Sequence, residues 1–140
     1  MKFWDSSAIV PLCFRESVSD VMRRIAKTDE DMVVWWASRV ECISAMARRQ
    51  REIVLSSEAA HEARAILSAL SGQWSEVQPT EIVRERAERL MMVHPLRAAD
   101  GLQLAAALVW AEESPKGFEV VCLDRNLSEA AMREGFTVLP

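Results

Sequence analysis

The chain has no long hydrophobic run. Its longest apolar stretch, residues 102–111, is ten residues long and contains Gln103, whereas a membrane-spanning helix needs about 20 apolar residues. The apolar start of the chain is broken by Asp5, so no signal-peptide pattern is present. We therefore expect no membrane segment and a cytoplasmic location.

Cysteine and histidine are scarce. Cys13, Cys42 and Cys122 are far apart and form no C-x-x-C pair, which excludes a disulfide framework and a cysteine-based zinc site. We expect all three to be small buried hydrophobic residues. His61 and His94 lie on or beside predicted surface helices, where histidine is more often a surface or core residue than a metal ligand.

An excess of positive charge is also missing. The net charge is −4, whereas domains that bind nucleic acid by bulk electrostatics usually carry a basic face. Arginine nevertheless supplies 14 of the 17 basic residues, and several arginines cluster: Arg23 with Arg24; Arg48, Arg49 and Arg51; Arg84, Arg86 and Arg89. Guanidinium groups suit phosphate and carboxylate equally. The clusters are compatible with RNA contact, an acidic partner or simple solvation.

Short apolar runs alternate with segments of helical periodicity along the 140 residues. The runs predict strands over 2–4, 32–36, 74–77, 118–123 and 136–139. Helices are predicted over 18–25, 40–47, 56–70, 81–93 and 97–113, with a short or kinked one around Pro11. Continuous apolar runs are typical of strands buried on both faces of a parallel sheet. Alternation of strands and helices predicts one three-layer α/β domain spanning 1–140.

Four acidic residues stand out by their positions relative to these elements. Asp5 and Asp124 each follow directly on a predicted strand, and in open parallel sheets sites form beyond the carboxyl ends of the strands. Glu41 lies one turn into the helix after the second strand, and Asp100 lies one turn into the most apolar helix. If these carboxylates converge, they repel one another unless a cation is present. Oxygen ligands alone favour a hard ion such as Mg²⁺ or Mn²⁺.

Each of these residues also has a purely structural interpretation. Asp5 can cap the following helix, and Glu41 has the spacing of an S-x-x-E capping box. Asp100 near a helix start interacts favourably with the helix dipole. Asp124 can cap the last helix or form an Asx turn with Asn126. Their placement at one edge of the sheet is what these separate explanations do not predict.

The chemistry best matched to such a site is hydrolysis of phosphodiester bonds. A divalent ion lowers the pKa of a bound water and neutralises charge on the phosphate, and a spare carboxylate can accept the proton of the water. A receiver-type phosphoacceptor would need a lysine at the end of a late strand, which is missing. A dehalogenase-type phosphatase would need Asp-x-Asp after the first strand, but position 7 is Ser7.

Four sequence segments together resemble those of the PIN-domain family, and within it the VapC-type toxins of prokaryotic toxin–antitoxin pairs. They are WDSSAIVPL, SRVECISAMARR, RAADGLQLAAAL and LDRNLSEAAMREGFTVL, and the resemblance covers essentially the whole chain. It implies a three-layer α/β/α fold with a parallel sheet in the order 3-2-1-4-5. It further implies an endoribonuclease dependent on Mg²⁺ or Mn²⁺, a homodimer, inhibition by a small antitoxin protein, and a larger assembly with that antitoxin.

The resemblance also assigns roles to residues. Asp5 and Asp100 correspond to the principal metal ligands, and Glu41 and Asp124 complete the catalytic acidic site by contacting the metal directly or through water. Ser7 stands where the family more often has threonine, and its hydroxyl would orient Asp5. Asn126 is a further supporting candidate.

Two interpretations remain open on the sequence alone. The chain is either an active ribonuclease toxin or a catalytically silent PIN-fold binding module that acts through an antitoxin complex on operator DNA. The intact set of four acids favours the enzyme. Under that interpretation, we expect the arginine cluster at Arg48, Arg49 and Arg51 to guide RNA phosphates.

Overall fold

Five short strands form one parallel sheet in the computed structural model, which describes residues 1–140. They are β1 (Lys2–Trp4), β2 (Met32–Trp35), β3 (Ser75–Val77), β4 (Glu119–Val121) and β5 (Thr137–Leu139). Their order across the sheet is β3-β2-β1-β4-β5, and every neighbouring pair is parallel. The expected strand order and parallel pairing are confirmed.

Seven helices connect the strands. They are α1 (Ser6–Cys13), α2 (Ser19–Lys27), α3 (Ser38–Arg51), α4 (Ser57–Ser71), α5 (Glu81–Val93), α6 (Ala98–Trp110) and α7 (Arg125–Glu134). Helix α1 is short and contains Pro11, as expected. Helix α7 ends at Gly135, whose φ of 110° is a conformation that favours glycine. None of the helices has the length and apolar character needed to cross a membrane.

Both faces of the sheet carry a hydrophobic core because successive strand residues point in opposite directions. Phe3, Val33 and Val120 belong to the core formed with α5, α6 and α7. Trp4 and Val34 belong to the core formed with α1, α2, α3 and α4. Burial on both sides explains why the strands read as continuous apolar runs, and it confirms the three-layer α/β/α arrangement.

The structure corrects several element boundaries. Strand β4 ends at Val121, so Asp124 follows it after two further residues instead of directly. The helix expected over 97–113 ends at Trp110. Strand β3 is the weakest in the sequence because it lies at the edge of the sheet, where Ser75 and Glu76 remain exposed.

The topology brings several carboxyl-terminal strand ends together. Strands β1 and β4 are neighbours, and the Asp5 backbone N–H donates a hydrogen bond of 3.0 Å to the carbonyl of Val121. Helix α3 begins soon after β2, the other neighbour of β1. The residues that follow these three strands therefore meet at one edge of the sheet.

Candidate active site

A polar cavity of about 350 Å³ lies at this edge. Five carboxylates line it: Asp5, Glu16, Glu41, Asp100 and Asp124. Two arginines, Arg48 and Arg49, line it as well. Because the acids come from five separate segments of the chain, the fold and not local sequence brings them together. All four acids singled out in the sequence are in this set.

Asp5 is the most deeply buried of the acids, with 4% of its surface exposed. It caps α1, since its Oδ2 accepts a hydrogen bond of 2.9 Å from the Ser7 backbone N–H and another from the Ser7 hydroxyl. The pKa of Asp5 is raised to about 6, chiefly by burial and to a smaller extent by the charges of Glu41 and Asp100, against the lowering effect of the Ser7 hydrogen bonds. The carboxylate is thus held in place but is costly to ionise without a cation.

Ser7 connects the ends of two strands. Its hydroxyl donates to Asp5 and accepts a hydrogen bond of 2.9 Å from the Leu123 backbone N–H. The arrangement agrees with an orienting role for this residue. Below it, the Cys122 sulfur lies 3.7 Å from Asp5 Oδ2, and burial raises the pKa of the Cys122 thiol to about 12. Cys122 is therefore a neutral buried side chain here.

Glu41 is held by a residue that the sequence interpretation did not assign to the site. The side-chain amide of Gln103, on α6, donates 2.7 Å to Glu41 Oε2 and 3.1 Å to Ser38 Oγ. The S-x-x-E capping box is not formed, because the cap of α3 is Ala37 and Ser38 is the first helical residue. The signal that points to Gln103 is its position as the single polar residue of the apolar run 102–111.

Asp100 and Asp124 both serve as local helix anchors. Asp100 Oδ2 accepts 3.3 Å from the Arg97 backbone N–H at the start of α6. Burial raises the pKa of Asp100, the Arg97 hydrogen bond opposes this, and the charge of Asp124 raises it again. Asp124 caps α7 by accepting 2.8 Å from the Leu127 N–H.

The structural interpretations of Asp5, Asp100 and Asp124 are therefore all realised, yet the three residues still share one cavity. Each uses one carboxylate oxygen to accept a backbone N–H at the start of its helix: Oδ2 in Asp5, Oδ2 in Asp100 and Oδ1 in Asp124. The second oxygen takes no part in that bond. Asn126, in contrast, is exposed on α7 and does not line the cavity.

The donor chemistry of the cavity fits a hard divalent cation. All its anionic donors are carboxylate oxygens, which Mg²⁺ and Mn²⁺ prefer. The raised pKa of Asp5, caused chiefly by burial, means that its ionised form is destabilised, and a cation beside it would favour ionisation. As the side chains stand, no three acidic, histidine or cysteine residues form a cluster ready to hold an ion. Side-chain movement would be needed to complete a ligand set.

Glu16 is the fifth carboxylate of the cavity and has no counterpart in the sequence analysis. It lies in the turn between α1 and α2 and forms an ion pair with Arg49 near the end of α3. No local motif marks Glu16, because its significance depends on this contact with a distant helix. Arg51 is exposed and does not line the cavity.

A search of solved structures finds close matches in fold. A toxin–antitoxin complex from Klebsiella pneumoniae matches 100% of this chain and 97% of that chain with a TM-score of 0.67 at 13% identity. VapC20 from Mycobacterium tuberculosis, described as a sarcin–ricin loop cleaving toxin, matches 93% of this chain and 95% of that chain with a TM-score of 0.67 at 16% identity. The chain has a PIN-domain fold.

A third match was solved in a complex with DNA. FitAB, solved bound to an IR36 DNA fragment, matches 99% of this chain and 94% of that chain with a TM-score of 0.63 at 16% identity. No protein-family model matches the chain, and no curated protein matches it. At such low identities, the likeness to solved structures establishes the PIN-domain fold and leaves the activity to be argued from the site.

Proposed function

We propose that this PIN-fold protein is an endoribonuclease that depends on Mg²⁺ or Mn²⁺ and acts as the toxin of a type II toxin–antitoxin pair. The observation that carries the proposal is the shared cavity of Asp5, Glu41, Asp100 and Asp124 at the carboxyl edge of the sheet. A neighbour of the same fold described as a loop-cleaving toxin supports it. The cytoplasm is the proposed place of action.

The proposed mechanism gives each side chain a separate task. Asp5 and Asp100 would hold the ion, which when bound supplies a water of lowered pKa and neutralises charge on the phosphate. Ser7 keeps Asp5 in position through its hydroxyl. Glu41, fixed by the Gln103 amide, would accept the proton from the attacking water.

The proposed partners are a small antitoxin protein and a second copy of the chain. Exposed apolar residues at the start of α3 and in the turn before it support the homodimer: Trp36, in the turn, is 50% exposed, and Val40 and Ile43, on α3, are 67% and 38% exposed. The spacing of three residues puts Val40 and Ile43 on one face of α3, and exposed apolar patches mark interaction sites. Because this face adjoins Glu41, a second copy bound there would lie beside the cavity.

The proposal is tested by cleavage of total cellular RNA with purified, antitoxin-free protein in Mg²⁺, in Mn²⁺ and in EDTA. The matched control is Asp100→Asn, because asparagine keeps an oxygen that can accept the Arg97 hydrogen bond. We expect discrete fragments that need the metal and disappear in the variant. Fragments that persist in EDTA, or in folded Asp100→Asn, would contradict the proposed site.

The second candidate is a catalytically silent binding module that acts on operator DNA through an antitoxin. The observation in its favour is the FitAB structure bound to DNA. Two assays distinguish the functions. If the chain is a silent binding module, it should shift the mobility of operator DNA only together with the antitoxin, and the folded, partner-free protein should not cleave RNA in Mg²⁺. Cleavage together with a shift would assign both functions to the chain.

A further inference from the structure

Arg49 occupies a junction between two cavities. It lines the acidic cavity, and it also lines an adjacent groove of about 480 Å³ that includes Phe14 and Val54. Its guanidinium carbon lies 5.0 Å from the centre of the Phe14 ring, and its Nη1 is paired with the Glu16 carboxylate. A long, flexible side chain is thus fixed at two points.

The turn that carries Glu16 is itself tied down. The Glu16 backbone N–H donates 2.8 Å to the hydroxyl of Ser19, which is almost fully buried, and that hydroxyl donates 3.1 Å to the Phe14 carbonyl. Both groups that contact the Arg49 guanidinium therefore come from one anchored turn. The turn sets the direction of the guanidinium at the mouth of the cavity.

Most of the hydrogen-bonding capacity of Arg49 remains available. A guanidinium has five N–H donors, the pair with Glu16 joins Nη1 to Oε1, and the Arg49 side chain is 33% exposed. The cavity that it faces holds five carboxylates and otherwise only the cation of Arg48. A phosphodiester strand approaching such a cavity is repelled by the carboxylates and needs a fixed cation at the rim.

We propose that Arg49 binds an RNA phosphate next to the scissile one and that Glu16 is a positioning residue for it. The inference rests on the proposed ribonuclease function. Of the cluster Arg48, Arg49 and Arg51, it assigns phosphate binding to the single guanidinium that the structure orients, that of Arg49. Planar, bidentate recognition of phosphate is what arginine supplies and lysine does not. Phe14 supports the guanidinium from the other side through its ring face.

Neutralising Glu16 separates this proposal from simple charge effects. If only bulk charge mattered, Glu16→Gln would remove a negative charge near the RNA and strengthen binding. If Glu16 positions Arg49, the same substitution weakens binding although the site becomes more positive. The opposite signs make the substitution decisive.

The experiment measures binding of a fluorescein-labelled, mixed-sequence single-stranded RNA by anisotropy in Mg²⁺ over a range of salt concentrations. The proteins carry Asp100→Asn to block cleavage and differ at Arg49 or Glu16. For Arg49→Ala, we expect about tenfold weaker binding, equal to loss of one charge-assisted contact. The slope of log affinity against log salt should fall by about 0.7. Arg49→Lys should have the same salt dependence as the protein with Arg49 intact, but only part of its RNA affinity.

Matched controls come from exposed residues outside the acidic cavity. Arg64→Ala on α4 removes the same charge as Arg49→Ala, and Glu62→Gln in the adjacent groove removes the same charge as Glu16→Gln. Neither should weaken RNA binding. Thermal unfolding of every variant ensures that the comparison is made between folded proteins.

The wild-type protein and the Arg49 and Glu16 variants, all with Asp100 intact, should also be assayed for cleavage. We expect KM to rise about tenfold while kcat changes little, as for loss of a binding contact. Two results would overturn the role of Arg49: tighter RNA binding by Glu16→Gln, or equal RNA affinities of Arg49→Ala and Arg64→Ala. If wild type still cleaves RNA in that case, the proposed ribonuclease function stands. If wild type neither cleaves nor binds RNA, both proposals are overturned.

Discussion

Substitution of Asp5 by asparagine should make the metal-free protein more stable while abolishing cleavage. The side chain is buried, and its pKa is raised from 3.8 to about 6, chiefly by burial. A shift of this size means that ionised Asp5 costs the fold about 3 kcal/mol at pH 8. Asparagine is as good a helix cap as aspartate, so the hydrogen bond from the Ser7 N–H can be kept. Because its amide also needs an acceptor, we expect a net gain of about 1–2 kcal/mol.

The gain should depend on pH in a direction fixed by the sign of the shift. A folded-state pKa above the unfolded value means that the folded protein binds the Asp5 proton more tightly. The wild-type protein therefore gains stability from this group as the pH falls from about 6 towards 4, and it carries the full cost above 6. The advantage of Asp5→Asn should shrink by about 2 kcal/mol between pH 8 and pH 4.5.

Urea denaturation of both proteins in EDTA, at pH 8 and at pH 4.5, measures these differences. Repeating the pH 8 series with Mn²⁺ should raise the stability of wild type by ligand linkage and leave the variant nearly unchanged. A variant that is less stable than wild type at pH 8, or a gain that does not vary with pH, would refute the assignment of strain to ionised Asp5. Equal stabilisation of both proteins by Mn²⁺ would refute Asp5 as a metal ligand.

Three further predictions concern other parts of the site. Asp124→Ser keeps an oxygen for the Leu127 N–H, so it should retain wild-type stability while its cleavage activity falls roughly 100-fold. Asp124→Ala should lose the same activity and also about 1 kcal/mol of unfolding free energy. Equal urea midpoints for the two variants would contradict the capping role. Gln103→Leu should lower kcat about tenfold by releasing Glu41, and an unchanged pH–rate profile and kcat would contradict its positioning role. Val40→Asp should convert a dimer to a monomer in analytical ultracentrifugation, and a dimer that persists would place the interface elsewhere.

The parallel sheet could be anticipated because both of its faces are buried, whereas its strand order came from the resemblance to the PIN-domain family. Continuous apolar runs around Phe3, Val33 and Val120 identified the central strands, and helical periodicity identified the helices between them. The end of β4 could not be read from the sequence, since Cys122 is buried almost as fully as Val120 and Val121. Burial continues there after regular pairing has stopped.

Placement of the four acids also followed from topology, whereas their supporting contacts did not. Asp5 and Asp124 are predicted at one edge because each follows a strand of a parallel sheet, and the resemblance to the PIN-domain family makes those two strands neighbours. Gln103 was visible as a polar interruption, but its bond to Glu41 depends on how α6 packs beside α3. Glu16 gave no signal, because its role comes from a pairing between the α1–α2 turn and α3. The chemistry of the acidic site stays a prediction.

Three of the four acids both stabilise a helix and line the cavity, so finding them in a relative of this protein is weak evidence that the relative is catalytically active. Asp5, Asp100 and Asp124 each hold the first turn of a helix, so selection for a stable fold would preserve an oxygen-bearing residue there even after catalysis had been lost. Glu41 caps nothing, and its α3 begins without a side-chain cap. In a descendant that had become a silent binding module, Glu41 would be the first of the four to drift, and its survival is the most informative mark of an active enzyme.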